Sequence, residues 1–413
     1  MSVWIKNAML CGEKTDVLIE KDTFSFVGKL KEGQSFTADR VINAEGMALL
    51  PAFYNLHCHA AMCLLRGYGE DMPLMSWLEK IWSKEATLTG EDIYNGTRLA
   101  VLEMIKSGTV FFADMYWYHQ DVLRAVEDMG IRCNIGVTFM DSLGEKTIKD
   151  NLAFLDDYAS YSNPLITFAP APHAIYTCSG KLYMRCFDNA EKNNLYFQTH
   201  LSETVDEVGN CKKLHGGQTP TQYLHSLQVL NHRTIAAHCV HLTEEDAEIL
   251  AETEVTAVHN PCSNMKLSSG AFDVPLIKRC GVHTALGTDG CSSNNNLSMI
   301  EEMKTAALLA KHAYKKADTL TAKEVMDWAT VNGAKAYGIN AGRIQQGMQA
   351  DCLLVDMQNE RLVPSWDIVS DMVYSADSSC VDTVICAGKV LMEHRRVKDQ
   401  EEIVAKARAF VKK

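Results

Sequence analysis

The 413-residue chain has no excess of basic residues: 40 Lys plus Arg stand against 52 Asp plus Glu, a formal charge of −12. A nucleic acid or an anionic membrane is therefore not the expected partner, because there is no cationic surface to displace counterions. No apolar run approaches the 18 or so residues of a membrane span. The first fifteen residues lack an apolar core flanked by basic side chains, so no signal peptide is expected. No two of the fourteen cysteines have CxxC spacing, and several lie in apolar, strand-like runs (Cys133, Cys239, Cys386). Buried reduced thiols in a cytoplasmic protein are expected rather than a disulfide framework. Low-complexity segments and strict repeats are also missing. With 47% apolar and 22% charged residues, the composition is that of a folded globular chain.

Between about 49 and 340, short apolar runs alternate with helical spacing. The runs begin near 49 (ALLPAFYNL), 109 (TVFFADM), 131 (IRCNIGV), 166 (ITFAPAP), 196 (YFQTHL), 234 (TIAAHCV), 256 (TAVHNP) and 283 (HTALGTD). Ile93, Leu99, Leu102 and Ile105 mark one helix face; Val122, Leu123, Val126 and Met129 mark another. Thr321 and Glu324 form a capping-box pattern. Eight strands alternating with helices predict an α/β fold, a (β/α)₈ barrel of TIM type over 51–342. The gap after the first run is too long for one helix, so an inserted segment is expected at 60–89. Strand-like pieces at both chain ends, 1–50 and 343–398, are each too short to bury a core alone. They are expected to combine into one small β-sandwich, followed by a charged C-terminal helix over 399–413.

Reactive groups in such a barrel gather at the C-terminal ends of the strands. The first run ends in His57-Cys58-His59, and side chains two apart on a strand share a face. The fourth ends near His173, the fifth in His200 with Glu203 three residues on, the sixth in His238 and the eighth in Asp289. Each alone could be an ordinary hydrogen-bonded or turn residue. Together they make a candidate site for a borderline metal such as Zn²⁺. His119, His215, His225, His232, His312 and His394 fall in helical or loop positions and read as structural. His283 opens its strand and belongs at the opposite face, and His259 is expected to brace the loop after the seventh strand.

PAFYNLHCHAAMCLLRGYGEDMPLMSWLEKIW, THLSET, AAHCVHL, HNPCSNMKLSSG and LGTDGCSSNNN resemble the amidohydrolase superfamily. They are most similar to its branch of 5-methylthioadenosine/S-adenosylhomocysteine deaminases and triazine chlorohydrolases. The resemblance runs over 50–346, and AGRIQQGMQADCLLVD and VICAGKVLMEHRRV are similar to that family's composite β-domain. It implies that His57, His59, His200 and Asp289 bind one divalent metal, Zn²⁺ in the first place, with Fe²⁺ or Mn²⁺ as other possibilities. It implies that Glu203 and His238 move protons, with Asp289 taking part in catalysis as well as in binding metal. A carboxyl at 203 suits protonation of a ring nitrogen such as N1 of adenine, which makes C6 electrophilic. Superfamily members with two metals bridge them through a lysine on the fourth strand; this run contains none, so a single ion is expected.

The same resemblance sets Glu85 on ribose hydroxyls, His173 against the nucleoside, Trp77 near the substrate in a lid, and Ser293 at the rim. From its residues alone, Glu85 reads as a solvated helix-end charge. The implied partner is a small nucleoside, and relatives suggest a homo-oligomer, dimer or larger. The expected activity is zinc-dependent deamination of an adenosine-type nucleoside: 5'-methylthioadenosine, adenosine or S-adenosylhomocysteine. The alternatives are hydrolysis of another heterocycle (guanine, a pterin, a triazine) and a non-catalytic assembly role of the dihydropyrimidinase-like kind. The segment 138–163 contains no arginine to hold an amino-acid carboxylate, so small neutral 5'-substituents are expected to be preferred.

Overall fold

The computed structural model describes residues 1–31 and 33–411. Eight parallel strands carry its centre: Phe53–Cys58, Thr109–Tyr116, Arg132–Phe139, Ile166–Pro172, Phe197–Leu201, Thr234–His238, Thr256–His259 and Thr284–Leu286. The first four pair in sequence order as one sheet and the last four as another. Backbone bonds join the two sheets at the strands' C-terminal ends, from His200 N to the His173 carbonyl (3.0 Å) and from Asp289 N to the His57 carbonyl (2.9 Å). These strands are almost continuously buried because helices cover them, as parallel strands require.

The run that begins near 49 divides between two sheets. Met47–Pro51 pairs antiparallel with Cys352–Asp356 in a third sheet, and the first central strand starts at Phe53. Pro51 has no N–H to continue a ladder, and Ala52 instead donates to the Asp351 carbonyl (3.2 Å). The apolar pattern is unbroken across this point because both sheets are buried, so composition alone does not mark the change of partner.

Among the described residues, the third sheet has nine strands drawn from both chain ends. Its strand Ser2–Leu10 pairs with Arg40–Asn43 through Val3–Lys6 and then, beyond a register shift between Ile5 and Ala8, with Met47–Pro51 at Met9. One face encloses Val3, Ile5, Val17, Ile19, Phe24, Leu49, Cys352 and Leu354. Leu353, Val355, Val384 and Cys386 pack into the main core with the eight strands. Asp351 fastens the two parts: it accepts from Arg132 Nε (3.0 Å), from the Tyr54 hydroxyl (2.5 Å) and from Ala387 N (2.6 Å). Breaking a buried, fully bonded ion pair of this kind typically costs about 3–5 kcal/mol.

Helix Gly90–Lys106 carries the Ile93 face and His119–Met129 the Val122 face. The capping box at Thr321 is formed: Glu324 N donates to Thr321 Oγ1 (3.3 Å) and Thr321 N to Glu324 Oε2 (2.8 Å). The segment 60–89 contributes the turn Ala60–Leu65 and the helix Leu74–Glu85. The C-terminal helix runs Gln400–Phe410, with Asp399 and Val411 of its expected range flanking it; Lys412 and Lys413 lie outside the described residues. No described helix is long and apolar enough to cross a membrane.

Candidate active site

The strand ends bring His57, His59, His200, His238, Glu203 and Asp289 to one buried place. Two of them adopt a left-handed backbone, His238 at φ 74° and Asp289 at φ 62°, which non-glycine residues rarely hold. Such strain persists where the surroundings over-determine it, and it clusters at functional sites. It turns the chain sharply as each strand ends. Close packing beneath is equally constrained: a Cβ on Gly287 would lie 2.8 Å from His57 N and 2.5 Å from Asn260 Oδ1.

Second partners fix the orientation of three imidazoles. His59 Nδ1 donates to the Met115 carbonyl (2.6 Å), His200 Nδ1 to the His173 carbonyl (2.6 Å), and His238 Nδ1 to Asn264 Oδ1 (2.8 Å). A carbonyl can only accept, so each Nδ1 carries hydrogen, and a ring without a proton on Nε2 presents that nitrogen's lone pair to the site. His57 Nε2 is buried with no hydrogen-bond partner; its nearest charged neighbour is Asp289 Oδ1 at 3.6 Å, which lies 3.2 Å from His59 Nε2. Burial pushes the His57 imidazole down to about 4, so it is neutral at pH 7. Asp289 Oδ2 accepts from Ser263 Oγ (2.5 Å) and Ser293 Oγ (3.1 Å), and Oδ1 from Gly290 N (2.8 Å).

A buried, unpartnered ring nitrogen facing other nitrogen lone pairs and a carboxylate is the donor set of a divalent cation of zinc type. The ligand atoms of His57, His59 and Asp289 lie within 4.8 Å of one another, and so do those of His57, His200 and His238. Distance alone therefore leaves His238 beside the four residues expected to bind metal. Its Nε2 faces Glu203 Oε2 at 3.8 Å.

Glu203 is buried, accepts from Ser269 Oγ (3.1 Å), and is shifted upward by burial, toward the protonated form a general acid needs. Its own backbone is held by Glu207, whose carboxylate accepts from Ser202 N (3.0 Å) and Glu203 N (2.7 Å). These supports were not singled out from sequence. Ser263, Asn264 and Ser269 all lie in HNPCSNMKLSSG, so the motif carries them, but no spacing rule says which polar group meets which ring.

The cavity in front of these groups is walled by Trp77, Trp82, Glu85, Tyr116, His173 and Leu267, among others. Trp77 Nε1 donates to the Ser292 carbonyl (3.3 Å), tying helix Leu74–Glu85 across the opening. Glu85 is not the solvated charge its local sequence suggests. It is 7% exposed, accepts from the Tyr116 hydroxyl, and burial raises its carboxyl. His173 is buried beside His200, and burial pushes it down to about 3.

Ser293 departs from its expected place. It is 1% exposed and does not line the cavity, because the turn after Asp289 folds back and directs its hydroxyl to Asp289 and the Gly290 carbonyl. His259 stacks on Phe272 at 4.5 Å, and its carbonyl accepts from Gly287 N (3.0 Å). His283 accepts or donates to Thr256 Oγ1 (3.0 Å), away from the site.

A second chamber of about 890 Å³ adjoins the first through Trp82, Glu85, Tyr116, Trp117, Thr138, Met140 and Tyr176. Its outer wall adds Ser142, Leu143, Thr147 and Asn151, with His119 beside them. Neither lysine nor arginine is among the lining residues.

A family model described as the amidohydrolase family matches residues 48–391. A 5'-deoxyadenosine deaminase of Methanospirillum hungatei is 47% identical over 90% of this chain and 84% of its own. A 5-methylthioadenosine/S-adenosylhomocysteine deaminase of Thermococcus sibiricus is 43% identical over 95% and 94%. Among solved structures, a zinc-bound adenosine deaminase of Xanthomonas campestris superposes with a TM-score of 0.94 at 32% identity, covering 99% of this chain and 98% of that one. A zinc-complexed atrazine chlorohydrolase of Arthrobacter aurescens, at 22% identity over 99% of this chain and all of its own, has a TM-score of 0.91 and shares the fold.

Proposed function

The chain belongs to the amidohydrolase family, and on that premise we propose that it deaminates an adenosine-type nucleoside by hydrolysis, yielding the inosine analogue and ammonia. One observation carries the reading: Glu203 and His238 face each other at 3.8 Å over a buried donor set, at the inner end of a cavity that opens into a chamber lined by neither lysine nor arginine. His57, His59, His200 and Asp289 would hold one divalent ion, zinc for preference. When bound, such an ion lowers the pKa of a coordinated water toward 7.

The protein's own groups do the rest. Glu203 enters protonated and donates to ring nitrogen N1, which draws electrons from C6. His238 orients the water through Nε2, its tautomer fixed by Asn264. Asp289 accepts the water proton, held in place by Ser263 and Ser293. C6 then carries both the hydroxyl and the amino group; the proton held by Asp289 passes to the amino group, which leaves as ammonia, and the hydroxyl proton returns to the Glu203 carboxylate as the C6 carbonyl forms. Glu85 and His173 take the ribose side, Trp77 closes over the base, and the second chamber receives the 5'-substituent.

We also infer that the eight strands close into a (β/α)₈ barrel spanning 51–342, supported by the backbone bonds at both seams. The shared strand Ser2–Leu10, which changes neighbour at its register shift, supports a composite sandwich of 1–50 and 343–398. The test of function is an ammonia-release screen over adenosine, 5'-deoxyadenosine, 5'-methylthioadenosine, S-adenosylhomocysteine, guanine and cytosine. Turnover of a nucleoside is expected; turnover of a free base and of no nucleoside overturns the reading.

A further inference from the structure

Near His59 and Asp289 in the chain, two thiols touch. Cys63 Sγ and Cys291 Sγ are 3.1 Å apart, and both side chains are buried. They come from different loops. Cys63 lies in the turn Ala60–Leu65 that follows His59, and Cys291 lies two residues past Asp289. Neither lines the cavity. Arg66 covers the pair: its Nη2 is 3.6 Å from Cys63 Sγ and 3.5 Å from Cys291 Sγ, and the same group pairs with Glu103. The arginine side chain is 38% exposed, so the sulfurs lie one side chain below solvent.

The ligand atoms of Cys63, Glu103 and Cys291 also lie within 4.8 Å of one another, as a second metal site would require. Arg66 argues against it. A permanent guanidinium charge already touches both sulfurs and the carboxylate, so a cation would have to displace it. What the geometry leaves is sulfur chemistry between the two loops. A disulfide has an S–S length of about 2.05 Å, so the sulfurs need to close by roughly 1 Å. We propose that Cys63 and Cys291 form a disulfide on exposure to peroxide, a covalent staple between the loop that follows His59 and the loop that follows Asp289.

The reaction balances with hydrogen peroxide as the named oxidant. Two S–H bonds and the O–O bond break, one S–S bond forms, and two waters carry off the two protons, the two electrons and both oxygens. Because the pair is outside the cavity, the cross-link leaves the substrate's path open. Its effect falls on the His59 and Asp289 segments, whose separation it limits. This inference does not depend on which substrate the enzyme takes.

Peptide mapping of zinc-loaded protein tests it. After peroxide treatment and alkylation, the peptide bearing Cys63 should be joined to the one bearing Cys291, about 2 Da below the sum of the thiol forms. Two of the fourteen thiols should be lost and restored by dithiothreitol. Zinc loss to a chelator should slow in the oxidised protein, and the difference should vanish in Cys63→Ser. Oxidation confined to the exposed Cys11, with Cys63 and Cys291 still alkylated, overturns the proposal. So does a stoichiometry of two zinc ions per chain with both thiols unreactive toward peroxide. The mapping uses the unaltered protein, so it decides the matter even if Cys63→Ser does not fold.

Discussion

A carboxylate at the end of a substrate's 5'-substituent should be a handicap for this enzyme, and the second chamber says by how much. Thr147 and Asn151 face that chamber from helix Gly144–Tyr158, four residues apart and therefore on one helix face. Lys146 and Lys149, the basic residues of this segment, lie on other faces. Their side chains are 90% and 69% exposed, and they pair with Asp150 (2.6 Å) and Glu145 (3.5 Å). Arg185, from the next helix, also pairs with Glu145 (2.8 Å). Among the described residues that line the chamber, an arriving carboxylate thus finds hydroxyl and amide groups and the Glu85 carboxyl, but neither lysine nor arginine. One charge-assisted hydrogen bond is worth about 1.5–3 kcal/mol. Its absence corresponds to roughly ten- to more than a hundredfold in specificity. kcat/KM for 5'-methylthioadenosine, 5'-deoxyadenosine or adenosine should therefore exceed that for S-adenosylhomocysteine by at least about tenfold, measured by ammonia release. Thr147→Arg should narrow the gap by supplying a bidentate partner, mainly through KM for S-adenosylhomocysteine. Equal or better efficiency on S-adenosylhomocysteine in the unaltered enzyme would refute the argument.

Glu203→Gln should keep its metal and lose about 10²–10⁴-fold in kcat, because an amide cannot deliver a proton to N1; loss of metal instead would make Glu203 a ligand. Metal analysis and diffraction of zinc-reconstituted protein should give one ion per chain, with His57, His59, His200 and Asp289 at about 2.0–2.2 Å. Two bridged ions, or His238 in the coordination sphere, would contradict the assignment. Glu302 offers a stability test: it is buried, accepts from Asn294 Nδ2 (2.6 Å) and Cys262 N (3.2 Å), and burial raises it to about 8. A carboxyl whose folded pKa is raised contributes fully below its unfolded value near 4.5, and loses that contribution as pH rises through about 8. Thermal denaturation should accordingly show Tm falling from pH 5 to pH 8 less steeply in Glu302→Gln than in the parent; identical slopes would dismiss Glu302 as the source.

The residues of the proposed site are legible because chemistry dictates residue type. His57, His59, His200, Glu203, His238 and Asp289 each end an apolar run, and a parallel strand buried on both faces writes itself as such a run. The eight runs were visible for the same reason, as were the helix faces, because periodicity is local. What the sequence left open is whatever depends on a partner far along the chain. Pro51 ends one sheet and Phe53 starts another inside a single apolar stretch, since the division depends on Cys352–Asp356 some 300 residues away. Glu85 reads as a solvated charge until Tyr116 and the cavity wall enclose it. Ser293 was expected at the rim, but the strained turn at Asp289 directs its hydroxyl inward. The pairing of Asn264 with His238, of Glu207 with two backbone N–H groups, and of Cys63 with Cys291 could not be read either. Composition and spacing set what each segment is; three-dimensional packing alone decides which side chain meets which, because hydrogen bonds and sulfur contacts act over about 3 Å and carry no trace of sequence separation.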